Sequence, residues 1–583
     1  MNIERIKEAI ISVTKEKFSD KLVFRPGQFE AIVDIIDSYY NGNIDTYILE
    51  APTGSGKSII AMIASAVLES NSKKGYILTS ELALQDQYAQ DFRSYGLEWG
   101  CIKGASTYQC AVNFQPFPMG ECRIQKMSYE QAEELPCFEE CGYLLNRKKS
   151  IKSPVSLLNY SYALIQRNYV EAMQLKKGKN PPFEKRDFVF CDEAHRLIDI
   201  VQGHFAPRIN QELLDAVKYL DTFQQKNGFG SSQLAPQMSS VIFLMEYEED
   251  KAEILKQLKD LYQYLAAQMQ KNAIMNEAVS KQFDNWNNIP VDWRKAIAHA
   301  DFAKDAYCKV EDFVTIIESV GSDKIVKTVN PTIKESNEII LNCVEEGYMV
   351  DKHFSQKFGF KILMSATIGS PRYFMKAIGS QNVRFNRIAS HFDFSNSPIY
   401  FTPHNRITYK TMDDKIPVLI GYVKDILLKH KDKPGIIHSG SYSLAKKIWM
   451  GLPGNLKARV KLYEGSSEKT AAVGNLTGNA IVMGPSLLEG LDLKDDTSRL
   501  QIFLKVPYPS LGNNFVKEKM NYYPDWYRWR SCIAILQGVG RSVRSADDWC
   551  LTYVLDGCMT DLMKDPLAFP KDFLNRIINI ETI

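Results

Sequence analysis

Thr46-Tyr-Ile-Leu-Glu-Ala-Pro-Thr-Gly-Ser-Gly-Lys-Ser58 decides how the rest of the chain reads. Tyr47, Ile48 and Leu49 are an apolar run of strand length, Thr53, Gly54, Ser55 and Gly56 make a tight loop, and Lys57-Ser58 opens a helix through Ile59, Ile60, Met62 and Ile63. Strand, glycine loop and helix in this order is the setting in which such a loop cradles phosphates. The glycines let backbone N–H groups close on phosphate oxygens, and the helix start adds partial positive charge. Thr53, Gly54, Ser55 and Gly56 are the expected cradle of a nucleotide's phosphates. Lys57 is expected on the β- and γ-phosphates, and the Ser58 hydroxyl on Mg²⁺. Ala51 stands where the usual pattern has its first glycine.

Upstream, Ile3, Ile6, Ile10 and Val13 recur at helical spacing and predict one apolar face. Phe24-Arg25-Pro26-Gly27-Gln28 leads into a second helix through Ile32, Ile35 and Ile36. Gln28 has two donors and an acceptor for an adenine edge, and Arg25 is grouped with it at the nucleotide.

Downstream, residues 75–80 read as a strand that enters a helix bearing Gln85 and Gln87. That arrangement suits sugar–phosphate contacts and equally suits an ordinary capped helix. Phe188–Cys191 is an apolar strand ending in Asp192-Glu193-Ala194-His195. Two carboxylates at a strand end beside a phosphate loop suit Mg²⁺ and water activation. Asp192 is expected to hold the metal through water, Glu193 to polarise the attacking water, and His195 to couple the pair to a neighbouring segment. A strand beginning at Phe360 ends in Ser365-Ala366-Thr367.

A second α/β unit begins near Pro398. It has a helix over 416–428, strands at 435–438, 480–484 and 499–506, and the segment Glu489-Gly490-Leu491-Asp492. A helix over 525–539 runs into Gln537-Gly-Val-Gly540-Arg541-Ser-Val-Arg544. Arg541 and Arg544 are three residues apart, and arginines presented to a γ-phosphate stabilise transition-state charge.

Two stretches break this rhythm. Cys110, Cys122, Cys137 and Cys141 fall within 32 residues, and such clustering favours a metal site over disulfides. Four thiolates hold either zinc or an iron–sulfur cluster. The spacing, with no Cys-x-x-Cys pair, favours zinc slightly, and Cys101 is unassigned. Residues 205–345 read as long amphipathic helices, with Ile254, Leu258, Leu261 and Leu265 on one face. Trp286 and Trp293 fit packing better than base stacking.

The chain has 583 residues, 45% hydrophobic and 24% charged, with a net charge of +2. It is long enough for three or four domains, and any nucleic-acid contact must come from a local groove. No apolar run long enough to span a membrane is present, and no secretory signal. A cytoplasmic location is expected, nucleoid-associated in a bacterial or viral setting. No separate metal–carboxylate cluster speaks for a nuclease.

The set Asp192-Glu-Ala-His195, Ser365-Ala-Thr367, Glu489-Gly-Leu-Asp492 and Gln537-Gly-x-Gly-Arg-x-x-Arg544 resembles the superfamily 2 helicases, and within them the iron–sulfur group of DinG and XPD. Lys103-Gly104-x-x-x-Tyr108-x-Cys110 looks like that family's lead-in to its first cluster ligand. Ser156-Leu-Leu-Asn159-Tyr160 looks like the segment after its last. The resemblance implies an α/β chain with two RecA-like parallel-sheet motor domains, a cysteine-rich iron–sulfur insert and a helical arch insert. Motor domain 1 would comprise 1–100, 151–204 and 346–396. The iron–sulfur domain would be 101–150, the arch 205–345, and motor domain 2 397–583. The resemblance moves the metal from zinc to a [4Fe–4S] cluster on Cys110, Cys122, Cys137 and Cys141. It places Gln537 with the catalytic residues and Glu489, Gly490 and Asp492 at the nucleotide. It implies ATP-driven 5′→3′ movement on single-stranded DNA, with forked duplex and DNA–RNA hybrids as substrates. The same motor also fits a translocase that remodels nucleoprotein without processive unwinding, and a nucleotide-switched module. His438-Ser439-Gly440-Ser441 departs from the family's more aromatic segment. Ala51 is a change the group tolerates. No N-terminal exonuclease is expected, because the first helicase-like residues appear by Arg25.

Overall fold

The computed structural model describes residues 1–583 except 19–21, 126, 231–232, 284–287, 332–336, 391–394, 464–477, 486, 488–496, 542, 544–547 and 583. The early strands are β1 (Thr46–Glu50), β2 (Gly75–Thr79), β3 (Gly100–Cys101), β4 (Val155–Asn159) and β5 (Phe188–Cys191). Then come β6 (Arg208–Ile209), β7 (Ile325–Pro331), β8 (Asn337–Cys343), β9 (Phe360–Ser365) and β10 (Val383–Arg387). The last part holds β11 (Ile399–Phe401), β12 (Gly435–His438), β13 (Val460–Leu462), β14 (Ile481–Gly484), β15 (Leu500–Phe503), β16 (Leu551–Val554) and β17 (Ile577–Asn579).

Two parallel sheets carry the architecture. The first has the order β10-β1-β9-β5-β2-β4-β3, and the second β13-β14-β12-β15-β16-β11-β17. Every residue of β1, β2 and β5 is buried, as expected for strands with helices on both faces. Register places Glu50 opposite Ser365, and Cys191 opposite Leu363. The C-terminal ends of β1, β9 and β5 therefore share one edge, and the phosphate loop, Ser365 and the acidic pair emerge side by side. In open α/β sheets that edge is where ligands bind.

The first two helices, Ile3–Lys17 and Gln28–Asn41, pack on the first sheet's core. Ile6, Ile10 and Val13 are buried there, but Ile3 is 50% exposed. It sits in the first turn, beyond the body that the later turns touch.

Residues 205–345 hold the helices Gln211–Lys226, Leu234–Tyr247, Lys251–Gln282 and Val291–Val320. Ile254, Leu258, Leu261 and Leu265 are all buried, each contributing about 1.5–3 kcal/mol of transfer free energy. Trp293 packs among Phe223, Phe229 and Phe283; Trp286 lies outside the described residues. The block is not wholly helical: β6, β8 and β7 form a three-stranded antiparallel sheet. Its first strand has two residues, too short for any alternation to show, and it pairs with β8, 130 residues further on (Arg208 with Ile340, Ile209 with Ile339). Among the described residues no helix is long and apolar enough to cross a membrane.

Candidate active site

The phosphate loop is held open by backbone geometry and by the helix before it. Gly54 and Gly56 have φ of 80° and 76°, a region that costs glycine little and other residues more. A Cβ on Gly56 would lie 2.3 Å from Gln28 Nε2. Gln28 is buried, and its Nε2 donates to the Ser55 carbonyl at 2.7 Å, while its Oε1 accepts from Arg25 N–H at 2.7 Å. Arg25 donates to the Gly54 carbonyl. In this state Gln28 and Arg25 brace the loop rather than stand free for a base. Lys57, the first residue of the helix Lys57–Ser70, rests its Nζ 3.4 Å from the Ala51 carbonyl. Ser58 follows it in the first turn.

Asp192 and Glu193 leave β5 in different environments. Asp192 is buried, with Oδ2 accepting from Tyr88 Oη at 2.9 Å and Oδ1 from Glu193 N–H at 2.9 Å. Burial raises its carboxyl above the usual range, and the Lys57 charge works against that rise. Glu193 has φ 53°, a strained conformation for a side-chain-bearing residue of the kind that clusters at functional sites. Burial would raise its carboxyl too. The hydrogen bond from His195 and the charges of Lys57, His195 and Arg541 outweigh it and hold the group down at about 2. Glu193 is therefore ionised at neutral pH.

His195 joins the pair to two other segments. Its Nδ1 lies 3.2 Å from Glu193 Oε2 and 2.8 Å from Ser365 Oγ, and its Nε2 lies 2.7 Å from Gln537 Nε2. Gln537 belongs to the helix Pro524–Val539 of the second sheet's unit, so the relay crosses between the two lobes. Thr53, Glu193, His195, Gln537 and Arg541 line one cavity of about 270 Å³. Glu489, Gly490, Asp492 and Arg544 lie outside the described residues. Thr79 and Gln85 are buried, and Gln85 Nε2 donates to the Ile102 carbonyl at 2.8 Å. Both side chains are turned inward, as is the Ser80 hydroxyl, while Gln87 is exposed.

The four clustered cysteines sit on short elements: Cys110 in a turn, Cys122 in Glu121–Ile124, Cys137 in Pro136–Glu140, and Cys141 at the start of Gly142–Lys152. All eleven cysteines are free thiols. Cys122 feels the charge of Cys141, Cys110 and Cys137, although burial is the larger influence and raises its thiol. Burial also pushes Cys110 up, but hydrogen bonds from the Asn113, Val112 and Glu121 N–H groups outweigh it and leave the thiol below its usual range. A Cβ on Gly120 would lie 3.1 Å from Cys110 Sγ, so the chain passes close over that sulfur. Among the described residues no three His, Cys, Asp or Glu side chains close on one point as they do around a single ion. Backbone N–H groups nonetheless point at the Cys110 and Cys141 sulfurs, the kind of donor that supports a thiolate ligand. Cys101 belongs to β3 instead, with its Sγ near Gln85 Nε2.

Two families match this chain: the helicase C-terminal domain over residues 428–564, and the type III restriction enzyme res subunit over 21–224. The ATP-dependent DNA helicase YoaA of Escherichia coli is 21% identical over 591 aligned positions, spanning 87% of this chain and 88% of YoaA. A probable ATP-dependent helicase of Methanocaldococcus jannaschii, MJ0942, is 26% identical over 222 positions, 35% of this chain and 33% of the relative. An XPD helicase structure superposes with a TM-score of 0.57 at 14% identity, covering 95% of this chain and 99% of that one. Xpd4 of S. tokodaii gives 0.53 at 15% identity, with the same coverage. These matches support a superfamily 2 helicase with a fold like that of the DinG/XPD group. By class it is an ATP-dependent enzyme.

Several residues of the helicase's site carry no sequence signal. Tyr88 is one turn-spaced aromatic among many, yet among the described residues its side chain alone hydrogen-bonds the Asp192 carboxylate. Tyr160 Oη donates to the Asp192 carbonyl at 3.0 Å. Glu50, buried at the end of β1, receives Arg387 Nε at 2.6 Å from β10. Removing the relay tests the lobe contact directly. His195→Ala is expected to lower ATP turnover about tenfold, a usual coupling size, while nucleotide affinity holds. Steady-state turnover beside equilibrium nucleotide binding distinguishes this from simple loss of the pocket, which would weaken both.

Proposed function

We propose that the chain is a DNA helicase that moves 5′→3′ on single-stranded DNA and opens forked duplexes, DNA–RNA hybrids and R-loops. We assign it a [4Fe–4S] cluster on Cys110, Cys122, Cys137 and Cys141, and a cytoplasmic place. The observation that carries the reading is the relay from Glu193 through His195 to Gln537. It binds the hydrolytic carboxylate of one lobe to the helix of the other that leads to Arg541.

In this reading Lys57 leaves the Ala51 carbonyl for the β- and γ-phosphates. Ser58, and Asp192 through water, would hold Mg²⁺, which would neutralise phosphate charge. Glu193 orients the attacking water and accepts its proton, and Arg541 and Arg544 balance charge on the transferred group. Once the γ-phosphate leaves, the arginines lose their partner and the lobes part, so one cycle advances the strand. Gln28 and Arg25, which brace the loop, turn to the base as nucleotide enters, and Glu489, Gly490 and Asp492 are assigned to the nucleotide by family resemblance. The four thiols would hold that cluster, with backbone N–H donors beside Cys110 and Cys141. Bound there, it supplies a staple across three short helices and a one-electron couple.

A cavity of about 640 Å³ next to Cys122 is lined by Arg123, Arg147, Lys148, Lys152, Lys177 and Lys179, which outnumber Glu130 and Glu133 there. A local basic groove in a nearly neutral chain supports a strand path there, with affinity that falls as salt rises. Strand displacement on matched duplexes carrying a 5′ or a 3′ tail tests the reading. Unwinding of the 5′-tailed substrate alone is expected. Unwinding of the 3′-tailed one alone overturns the direction. Unwinding of neither, with DNA-stimulated turnover intact, turns the reading to a nucleoprotein-remodelling translocase.

A further inference from the structure

The helix Pro524–Val539 belongs to two cores at once. Trp526, Trp529 and Ile533 pack into the core shared by the first lobe and the helical block, while Cys532, Ile535, Leu536 and Val539 pack into the second lobe. Sixteen residues make a rod of about 24 Å at ~1.5 Å per residue. Its far end presents Gln537 to His195 and leads to Arg541.

Its near end is tied to the base of the helical block through the preceding helix, Asn514–Tyr522. Asn514 Nδ2 donates to the Lys327 carbonyl on β7 at 3.0 Å. Glu518 pairs with Lys251, the first residue of the 32-residue helix, at 3.1 Å. Tyr522 Oη donates to the Asp323 carbonyl at 2.9 Å. Lys519 is wholly buried, paired with Glu346 and 4.5 Å from the centre of the Trp526 ring. Midway along the rod, Trp529 Nε1 donates to the Ile368 carbonyl at 2.8 Å, and Ile368 N–H donates to Glu50 at 3.2 Å, one residue before Ala51. A buried ion pair seldom stabilises more than apolar packing would, so its use here points to fixing a position.

We propose that the helix pair 514–539 is the coupling arm of this motor. It transmits the position of the helical block to Gln537 and Arg541, with Lys519, Tyr522 and Trp529 as positioning residues. The proposal rests on the helicase reading above. A strand that shifts the base of the block thereby shifts the arginine against the nucleotide, and strand stimulation of turnover runs through the arm.

The test removes the partly exposed ties, far from the nucleotide, in one full-length variant: Lys251→Ala, Asn514→Ala and Tyr522→Phe. Turnover without DNA is expected to stay within about twofold and strand-stimulated turnover to fall about tenfold, with ATP KM and single-stranded DNA affinity unchanged. A second variant, Lys519→Met with Glu346→Leu, replaces the buried pair by apolar side chains and is expected to show the same split with its melting temperature retained. Stimulation equal to wild type in the first variant overturns the proposal. So does an equal proportional loss of basal and stimulated turnover, the mark of a merely structural role. Those failures leave a stimulated wild type, whereas a wild type that DNA does not stimulate overturns the functional reading as well.

Discussion

Glu193→Gln is expected to lower ATP turnover by about a thousandfold, within the usual range for losing a general base, while nucleotide binding persists. The amide has the carboxylate's shape but cannot take a proton from water. Asp192, Lys57 and Ser58 are untouched, so the phosphate and metal contacts remain. The wild-type carboxyl is held at about 2 by His195, Lys57 and Arg541 against the effect of burial. A carboxylate so depressed stays ionised as pH falls through the ordinary glutamate range of about 4.3. The wild-type rate is thus expected to show no acid limb from this group between neutrality and mild acid. Single-turnover hydrolysis across pH, beside equilibrium binding of a fluorescent nucleotide, makes both checks. Retention of a tenth of the wild-type rate by the variant would remove Glu193 from the mechanism.

Cys137→Ser is expected to abolish visible colour and bound iron in protein prepared without oxygen, and to cut unwinding by about a hundredfold or more, at the upper end of what losing metal-site support costs. This cysteine is the informative one of the four. The thiols of Cys110, Cys122 and Cys141 are buried, whereas Cys137 is half-exposed, so serine there disturbs little packing. The nucleotide pocket lies at the C-terminal edge of the first sheet, on other elements, and ATP binding should survive. Iron content, the absorption spectrum and strand displacement on one preparation decide the matter. A colourless wild type, or a variant that unwinds normally, would count against the cluster.

The motor was legible where chemistry and periodicity coincide. Residues 46–58 announce strand, loop and helix through their own composition, and Phe188–Cys191 followed by Asp192-Glu193 does the same. What stayed hidden was set by partners distant in sequence. Tyr88 becomes a ligand of Asp192 because β2 and β5 are neighbours, and nothing in its own segment says so. Glu50 looks like an ordinary acid at a strand end until β10 brings Arg387 beside it. In the antiparallel sheet of the helical block, β6 is invisible because its partner β8 lies about 130 residues on, while β7 and β8 are sequence neighbours in a block whose helical periodicity dominates. Gln28 was read for an adenine edge from its donors and acceptor, but sequence cannot show that the loop carbonyls also claim them. Ile3 satisfies the helical period, yet periodicity marks a face without saying where the neighbouring body ends.

The order of the first sheet has a consequence for how the molecule is made. β9 lies between β1 and β5 and pairs with both, yet about 170 residues of chain separate the end of β5 from its start. At about 5–20 residues per second, a ribosome takes on the order of ten seconds or more to deliver it. Throughout that interval β1 and β5 are complete but lack their shared neighbour, and the phosphate loop and acidic pair have no fixed spacing. The hydrolytic centre is therefore closed by a late arrival. A nascent chain halted before residue 360 should lack nucleotide affinity and present the unpaired edges of β1 and β5 to chaperones, and release beyond residue 387 should restore affinity and close those edges.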